Sequence, residues 1–230
     1  DGANNKRVRV TLMYYGGRTI AEYYSGWTSS ADYKHYEAAA GSKAFSEITS
    51  SAKYKSLPQA VGACEWDVIT FQEHTGRTAA WSWTSTAQTQ IQGLINYAKA
   101  AYPSSSTKTP KFYYIMSQAY KDMNAAQGDP TWSQIEMYNA IVAYGKKVME
   151  TCTFDGIIAT GTMLQNLRTS SANTTMDLTR DGYHMDNGLA RYGAAATVFE
   201  TLITPVFGTT MDGNSFRYSV SNTSSGQYST

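Results

Sequence analysis

The stretch that decides the fold is Lys111-Phe-Tyr-Tyr-Ile-Met116, which follows Pro110 and gives way to the polar pair Ser117-Gln118. A short apolar run that is bounded by proline and by polar residues is typical of a buried β-strand. Comparable runs occupy residues 8–15, 67–71 and 154–159. The first ends at a pair of glycines, and the other two lead into polar loops. The sequence therefore predicts a strand at each run.

Helical patterns fill the intervals between these runs. Apolar side chains recur every three or four residues through residues 87–101, 134–149 and 189–202, which is the spacing of one helix face. Strands that alternate with helices of this length are typical of right-handed βαβ units on a parallel sheet. We therefore expect a single α/β domain over residues 1–204. Residues 205–230 are rich in Gly, Ser, Thr and Asn and are expected to form a tail, with an edge strand at residues 216–221.

The composition excludes several classes of function. The chain has 230 residues and a formal net charge of +1, and 16% of its residues are charged. Because nucleic acids are bound by fields of basic side chains, no nucleic-acid partner is expected. No apolar run approaches the roughly 18 residues of a membrane span. Residues 1–7 contain no apolar signal-peptide region, and the low charge with abundant Ser, Thr, Asn and Tyr is compatible with an exported bacterial protein.

The cysteines and histidines do not predict a metal site. Cys64 and Cys152 fit neither a disulfide framework nor a metal-ligand spacing, and we expect them to be small buried hydrophobic side chains. His35, His74 and His184 share no ligand spacing either. No metal is therefore expected.

The tetrapeptide Asp181-Gly-Tyr-His184 places an acid three residues before a histidine, just ahead of a predicted helix. A carboxylate at this spacing can reach the imidazole Nδ1, fix the tautomer and leave Nε2 free to accept a proton from a nucleophile. This is the arrangement of the two polar members of a hydrolytic triad. Taken alone, the spacing favours a plain capping or surface turn.

Other candidate site residues follow the predicted strands, where parallel sheets carry their functional loops. A Gly-Gly turn can present backbone N–H groups to an oxyanion, or it can be a tight turn without a ligand. A glutamine amide after the next strand can donate a second hydrogen bond to the same charge, or it can be an ordinary loop amide. The candidates at these strand ends are Gly16, Gly17, Arg18, Gln72, His74, Gln118 and Tyr120.

Three blocks of this sequence, taken in order, resemble a known family. They are Gly16-Gly-Arg-Thr19, Trp66-Asp-Val-Ile-Thr-Phe-Gln72 and Thr179-Arg-Asp-Gly-Tyr-His184. They look like the later blocks of the SGNH (GDSL-type) hydrolases, and more narrowly like a bacterial subfamily of unassigned function related to carbohydrate acetylesterases. The resemblance spans about residues 8–202.

The resemblance implies a flavodoxin-like three-layer α/β/α sandwich with a parallel sheet, and ester cleavage by acyl transfer to a serine without a cofactor. His184 would be the general base and Asp181 its orienting carboxylate. The backbone N–H of Gly17 would be one oxyanion donor. Gln72 stands where many relatives have asparagine, and its longer side chain alters the geometry of the second donor. The neighbours Gly16, Arg18, His74, Gln118 and Tyr120 would line the substrate site.

The family's nucleophile block, Gly-[Asp/Asn]-Ser, is not seen at the N-terminus. It ends an apolar strand that precedes everything quoted above, and residues 1–7 contain no serine. We therefore expect the first strand to be missing from this chain and the nucleophile to lie upstream of Asp1. Ser215, in Asp212-Gly-Asn-Ser-Phe216, repeats the family wording near the other end. Glycine and polar residues interrupt the run before it, which favours a coincidental turn over a buried strand.

Two functions from different classes remain. The first is a secreted or periplasmic serine esterase, an O-deacetylase of carbohydrate or other small acyl esters, whose partner is a small-molecule or polysaccharide ester. The alternative is a catalytically inactive carbohydrate-binding relative that has lost the serine. Its aromatic side chains would stack on sugar rings, and the candidates are Tyr14, Tyr15, Trp81, Trp83 and Tyr120. Retention of the acid–histidine pair favours the enzyme. The sequence predicts no oligomeric state.

Overall fold

The computed structural model describes residues 7–29, 33–42, 45–76, 83–121, 133–171, 173 and 178–215. The chain divides into two compact units, one formed by Asp1–Ile69 with Ser85–Phe112 and the other by Thr70–Thr84 with Tyr113–Thr230. In chain order the elements are β1 (Val10–Tyr14), α1 (Ile20–Ser25), β2 (Lys34–Ala38), β3 (Ser46–Glu47), α2 (Leu57–Gly62), β4 (Val68–Gln72), α3 (Ser85–Ala101), β5 (Lys111–Ile115), α4 (Gln134–Thr151), β6 (Gly156–Ile158), α5 (Thr160–Arg168), α6 (Leu189–Val198), a π-helical turn (Phe199–Ile203) and α7 (Thr204–Phe207).

The apolar runs at residues 67–71, 111–116 and 154–159 form a three-stranded sheet in the order β4-β5-β6. β5 and β6 are parallel, with Tyr114 opposite Ile157. Phe112 and Tyr114 in β5 and Ile158 in β6 are almost completely buried. The strands alternate with helices, so the predicted mixed α/β fold is confirmed, and it is compatible with a three-layer α/β/α sandwich.

The first predicted strand does not join this sheet, and that part of the prediction was wrong. β1 pairs antiparallel with β2, and β2 pairs antiparallel with β3. Val10, Leu12 and Tyr14 share a face of β1 and are exposed. The alternate residues Thr11 and Met13 are half-buried, so the run has the two-residue period of an antiparallel strand with one partly covered face. β2 and β3 were not predicted, because their sequences are short and polar.

The first unit is organised around α3. This helix buries Ile91, Leu94, Ile95 and Ala98 on one face, as the helical spacing predicted, and it packs against α1 and α2. It begins at Ser85, two residues before the predicted start. The predicted helix over residues 87–101 is therefore confirmed.

A buried histidine lies in β2 of the antiparallel sheet. His35 is 1% exposed, and its Nδ1 accepts a hydrogen bond of 3.3 Å from the backbone N–H of Tyr54. Its Nε2 lies 3.5 Å from Oε2 of Glu37, and the same carboxylate accepts bonds of 3.0 and 3.1 Å from the guanidinium of Arg9. Burial lowers the pKa of His35, and the charge of Glu37 opposes that shift only in part. The fold therefore favours the neutral imidazole.

We predict that His35 makes the stability of the protein depend on pH between about 7 and 5. An unfolded histidine titrates near 6.5, so the unfolded chain takes up a proton that the folded chain resists as the pH falls through that value. The free energy of unfolding should decrease on acidification by up to about 1.4 kcal/mol per pH unit. The check is urea unfolding of the wild type and of His35→Asn, which keeps a hydrogen-bond acceptor, at several pH values. The slope of the unfolding free energy against pH is then compared between the two proteins.

Carboxylates contribute little within this window. The pKa of Asp181 is lowered although burial opposes the shift, and the hydrogen bond from Arg9 lowers the pKa of Glu37. The stability that these two ionised carboxylates contribute is therefore lost only as the pH falls below their unfolded pKa values near 4. Equal slopes for wild type and His35→Asn would contradict the assignment.

The second unit contains α4, α5, α6, β6 and the carboxyl-terminal residues of β4 and β5. A capping box begins α4, in which the Ser133 and Glu136 side chains bond each other's backbone N–H groups. The helix extends to Thr151, two residues beyond the predicted end, and packs against α5 and β6. α5 packs in turn against α6, around a core of Leu164, Leu178 and Ala190.

The predicted helix at residues 189–202 is longer than expected and is not regular throughout. α6 ends at Val198, the π-helical turn follows, and α7 continues to Phe207. The predicted boundary of the tail after residue 204 therefore falls at the first residue of a helix. The predicted edge strand at residues 216–221 lies outside the described residues. Cys152 is buried as predicted, whereas Cys64 is only partly buried.

The start of α5 touches the end of β5 through backbone atoms. The hydroxyl of Thr160 and the N–H of Gly161 both donate to the carbonyl oxygen of Met116, over 2.6 and 3.1 Å. A Cβ atom at Gly161 would overlap the carbonyl oxygen of Ser117. Glycine is therefore required here by close approach, and the contact fixes where the chain runs as it leaves β5.

We predict that Gly161→Ala destabilises the protein by about 1–3 kcal/mol, the usual cost of overpacking a tight site. The matched variant is Gly145→Ala in α4, where a Cβ would make only an ordinary contact with Ile157. Because alanine has the higher helix propensity, Gly145→Ala should be neutral or stabilising by up to about 1 kcal/mol. Chemical denaturation of both variants checks the sign, and equal effects would contradict the close approach.

Candidate active site

The site begins with a tight turn between Leu178 and Asp186. Thr179 and Met185 form an antiparallel bridge, and the N–H of Asp186 donates to the carbonyl oxygen of Leu178 over 3.0 Å. Inside the turn, the N–H of Gly182 donates to the hydroxyl of Thr179 over 3.1 Å. Gly182 has φ +86°, a conformation that favours glycine. The local sequence therefore closes the turn with its own hydrogen bonds.

This turn brings Asp181 and His184 into direct contact. Nδ1 of His184 lies 2.7 Å from Oδ2 of Asp181. The other carboxylate oxygen, Oδ1, accepts the backbone N–H groups of Tyr183 and His184 over 3.0 and 2.8 Å. These two bonds hold the carboxylate against the chain, so that its second oxygen faces the imidazole. A proton on Nδ1 leaves the lone pair of Nε2 available to a donor.

The electrostatics of the turn favour an ionised carboxylate. Burial alone would raise the pKa of Asp181, but the hydrogen bonds from His184 and Tyr183 outweigh it and lower the pKa to about 2. The Nε of Arg180 lies 3.7 Å from the same carboxylate. Asp181 therefore carries its charge at neutral pH and orients the ring without accepting its proton.

The side chains of both members of the pair are exposed to solvent. The side chain of His184 is 62% exposed and that of Asp181 is 43% exposed. Across the described part of the chain, no hydrogen bond engages Nε2 of His184. A largely exposed imidazole beside an ionised, hydrogen-bonded carboxylate is chemically competent to accept a proton at Nε2 from a hydroxyl group.

The segment that leaves β5 lies against this turn. The side-chain amide of Gln118 donates to the carbonyl oxygen of Tyr183 over 2.9 Å, and the N–H of Lys121 donates to the carbonyl oxygen of Gly182 over 2.8 Å. The rings of Tyr120 and Tyr183 meet edge to face, with centroids 4.9 Å apart. Two loops that are distant in sequence therefore meet at the Asp–His pair.

The segment that follows β4 contacts the segment that follows β5. The hydroxyl of Ser117 donates to the carbonyl oxygen of Glu73 over 2.8 Å. The phenol of Tyr120 is hydrogen-bonded to the side chain of Thr75. Glu73 and Thr75 are buried, and Gln72 is exposed at the end of β4. The carboxyl ends of β4 and β5 thus lead into loops that contact one another, as the parallel arrangement predicts.

The remaining candidates differ in their surroundings. The backbone N–H of His74 donates to Oε1 of Glu73 over 2.7 Å, and His74 is half-buried. Gly17 belongs to the first unit and has φ +74°. Gly16 and Arg18 lie beside it, and the Arg18 guanidinium packs 3.9 Å above the ring of Tyr15 and donates to the hydroxyl of Tyr33 over 3.1 Å. The roles assigned to these residues stay predictions.

Ser215 lies in a turn beside α6. The N–H of Asn214 donates to the carbonyl oxygen of Met211 over 3.1 Å, Gly213 has φ +71°, and the Asn214 amide donates to the hydroxyl of Tyr192 over 3.0 Å. Within the described residues, no hydrogen bond joins Ser215 to His184. Whether Ser215 is a nucleophile or part of a coincidental turn stays a prediction.

The aromatic candidates for sugar stacking differ in how exposed they are. Tyr14 and Tyr15 are exposed, and Tyr120 is only 6% exposed. Trp83 packs edge-on against Tyr144, with ring centroids 5.1 Å apart. Trp81 lies outside the described residues. Little of the Tyr120 surface is therefore available to a ligand.

The described residues show neither a metal-binding cluster nor a membrane-spanning helix. Their His, Cys, Asp and Glu side chains include no group of three that is arranged to bind a metal ion. Among the helices given above, none combines the length and the apolar character that crossing a membrane requires.

Comparison with known proteins identifies the family. The sequence profile of DUF4886, described as a domain of unknown function, matches residues 3–229. The chain belongs to the DUF4886 family. No curated protein matches it.

A crystal structure of another DUF4886 protein, from Bacteroides uniformis, shares the fold. The two structures align with a TM-score of 0.70 over 86% of this chain and 72% of the other, at 22% sequence identity. The likeness shows that the α/β architecture is common to these two members of the DUF4886 family.

Sequence reasoning found the Asp–His pair but missed residues that hold it. Thr179, Thr75 and Lys121 contribute hydroxyl or backbone groups. Tyr183 was quoted within its tetrapeptide but was given no role. Backbone N–H and carbonyl groups are present at almost every residue, so the sequence carries no signal for the ones that are used. A glycine between Asp181 and the aromatic residue was the available hint of a left-handed turn.

We predict that Gly182→Ala costs about 1–2 kcal/mol of stability, because a Cβ there meets no neighbour and the penalty is that of the left-handed backbone alone. Gly213→Ala is the matched control, since Gly213 also has a positive φ and open space. Both variants should lose similar stability in chemical denaturation. Only Gly182→Ala should shift the NMR signals of the His184 ring, and a shift in neither variant would contradict the role of this turn.

Proposed function

We propose that the protein is a serine ester hydrolase, an O-deacetylase of carbohydrate or other small acyl esters, with an SGNH-type fold and a secreted or periplasmic location. The resemblance of three sequence blocks to the SGNH hydrolases supplies the reaction class. The observation that carries the proposal is the 2.7 Å contact between Nδ1 of His184 and Oδ2 of Asp181, with the ring largely exposed. A binding protein has no need of an oriented acid–base pair.

In the proposed mechanism, Nε2 of His184 removes the proton from a serine hydroxyl as the serine oxygen attacks the acyl carbonyl carbon. The tetrahedral intermediate collapses when the protonated imidazole gives its proton to the leaving alcohol. Water then attacks the acyl-enzyme with His184 again as the base, and the acid is released. Asp181 stabilises the imidazolium and holds the ring, and it does not take the proton.

Two further roles in this mechanism rest on the family resemblance. The Gly17 N–H and the Gln72 amide are the proposed donors to the oxyanion, each worth about 10²–10³ in rate. The proposed nucleophile is a serine upstream of Asp1, and Ser215 is the lesser candidate because glycine and polar residues interrupt the run before it.

We predict that His184→Ala in the full-length protein lowers kcat for a chromogenic acetate ester by about 10⁶-fold, the usual effect of removing the general base of a triad. Asp181→Asn should lower it by about 10³–10⁴-fold, because the amide fails to hold the correct tautomer. Asp67→Asn is the matched control, since the side chain of Asp67 is 85% exposed and pairs only loosely with Lys108 at 3.5 Å. Its rate should match the wild type.

Labelling with a fluorophosphonate, followed by peptide mapping, locates the nucleophile. One adduct on a serine upstream of Asp1, lost in His184→Ala, is the expected result. An adduct on Ser215 would support the esterase and overturn the assignment of its nucleophile. Absence of both labelling and turnover would overturn the proposal, and glycan binding by the same sample would then favour the inactive carbohydrate-binding alternative.

A further inference from the structure

The orientation of the Asp–His turn depends on contacts from outside it. Its internal bonds fix the shape of the loop, but Asp181 and His184 are both largely exposed, so packing around the pair is sparse. The peptide carbonyls of Gly182 and Tyr183 and the Tyr183 ring contact the segment that follows β5. Whatever holds these groups sets the direction of His184.

Gln118 holds the carbonyl group that directly precedes His184. Its Nε2 donates to the oxygen of Tyr183 over 2.9 Å, and this peptide unit carries the N–H of His184 that bonds Oδ1 of Asp181. A rotation of that peptide would move the imidazole and break the bond to the carboxylate together. The glutamine amide therefore acts on both members of the pair through one peptide group.

The two residues that flank Gln118 are both held by hydrogen bonds. Ser117 is completely buried and bonds the backbone of Glu73. The carbonyl oxygen of Ala119 accepts a bond of 2.9 Å from the guanidinium of Arg168 at the end of α5. An amide donor on a segment held this way has little freedom to follow the turn, so it can impose a position on it.

We propose that Gln118 is a positioning residue for His184, and not the substrate-binding residue that its place after β5 suggests. The inference rests on the proposed esterase function. Gln118 acts through the Tyr183 carbonyl, and it sets the angle at which Nε2 meets the serine hydroxyl without touching the ester.

The test uses Gln118→Met in the full-length protein, which keeps the length and bulk of the side chain and removes the donor. Gln59→Met is the matched control, because the Gln59 amide also bonds a backbone group, the N–H of Lys55, but does so in the first unit. Kinetics on two acetate esters with different alcohols are measured alongside NMR of the His184 imidazole and the melting temperature.

We expect kcat of Gln118→Met to fall by about 10- to 100-fold, the usual effect of a small misplacement of a reacting group. KM should stay unchanged, and the factor should be the same for both esters. The imidazole signals of His184 should shift in Gln118→Met and stay unchanged in Gln59→Met. A rise in KM with kcat intact, or a loss that depends on the alcohol, would show that Gln118 contacts substrate and would overturn the inference.

The NMR result separates this inference from the proposed function. If the wild type hydrolyses no ester, the proposed function fails, and a shift of the His184 signals in Gln118→Met alone still supports the positioning contact. If the wild type is active and those signals do not move, the inference fails while the esterase stands. Should Gln118→Met unfold, Gln118→Asn, which keeps the amide on a shorter side chain, provides the same comparison.

Discussion

Backbone hydrogen bonding at the carboxyl end of β5 is the constraint on which the second unit depends. The N–H of Met116 donates to the carbonyl oxygen of Ile158, and the Met116 carbonyl oxygen accepts from Thr160 and Gly161. β5 is thereby tied to β6 and to the start of α5 at one residue. Because buried peptide groups must be paired, this junction has few alternatives. The chain beyond it therefore leaves the sheet in a defined direction, toward the turn that carries His184.

The Asp181–His184 contact is better understood as orientation than as a source of stability. Ion pairs between exposed side chains contribute only about 0–1 kcal/mol to folding, because water competes for both charges. Here both partners are more than two-fifths exposed. The backbone N–H groups that bond Oδ1 remove the rotational freedom of the carboxylate. What the turn achieves is a fixed direction for the ring, and that is what general-base chemistry requires.

Sequence patterns predicted the parallel sheet and the long helices because these depend on which residues are apolar over a short window. The runs at residues 67–71, 111–116 and 154–159 form β4, β5 and β6, and the helical spacing gave α3 and α4 within two residues at their ends. The same reasoning predicted β1 as a strand but placed it in the wrong sheet. Its apolar side chains lie on an exposed face, and the pairing partner, β2, is a polar segment with no strand signal. Apolar character alone indicates that a strand exists, and it does not select the partner.

The sequence by itself determined the contact between Asp181 and His184, since three residues with a glycine among them suffice to bend the chain and bring the side chains together. Only the tertiary structure decided where that pair points. Its supports come from Gln118, Tyr120 and Lys121, which follow a different strand about sixty residues earlier in the chain, and two of the groups that receive them are peptide carbonyls. Such groups are alike at every residue, so no pattern of side chains reveals which of them will be bound. That choice follows from the direction in which the chain leaves β5 and from α5, which is hydrogen-bonded to that part of the chain.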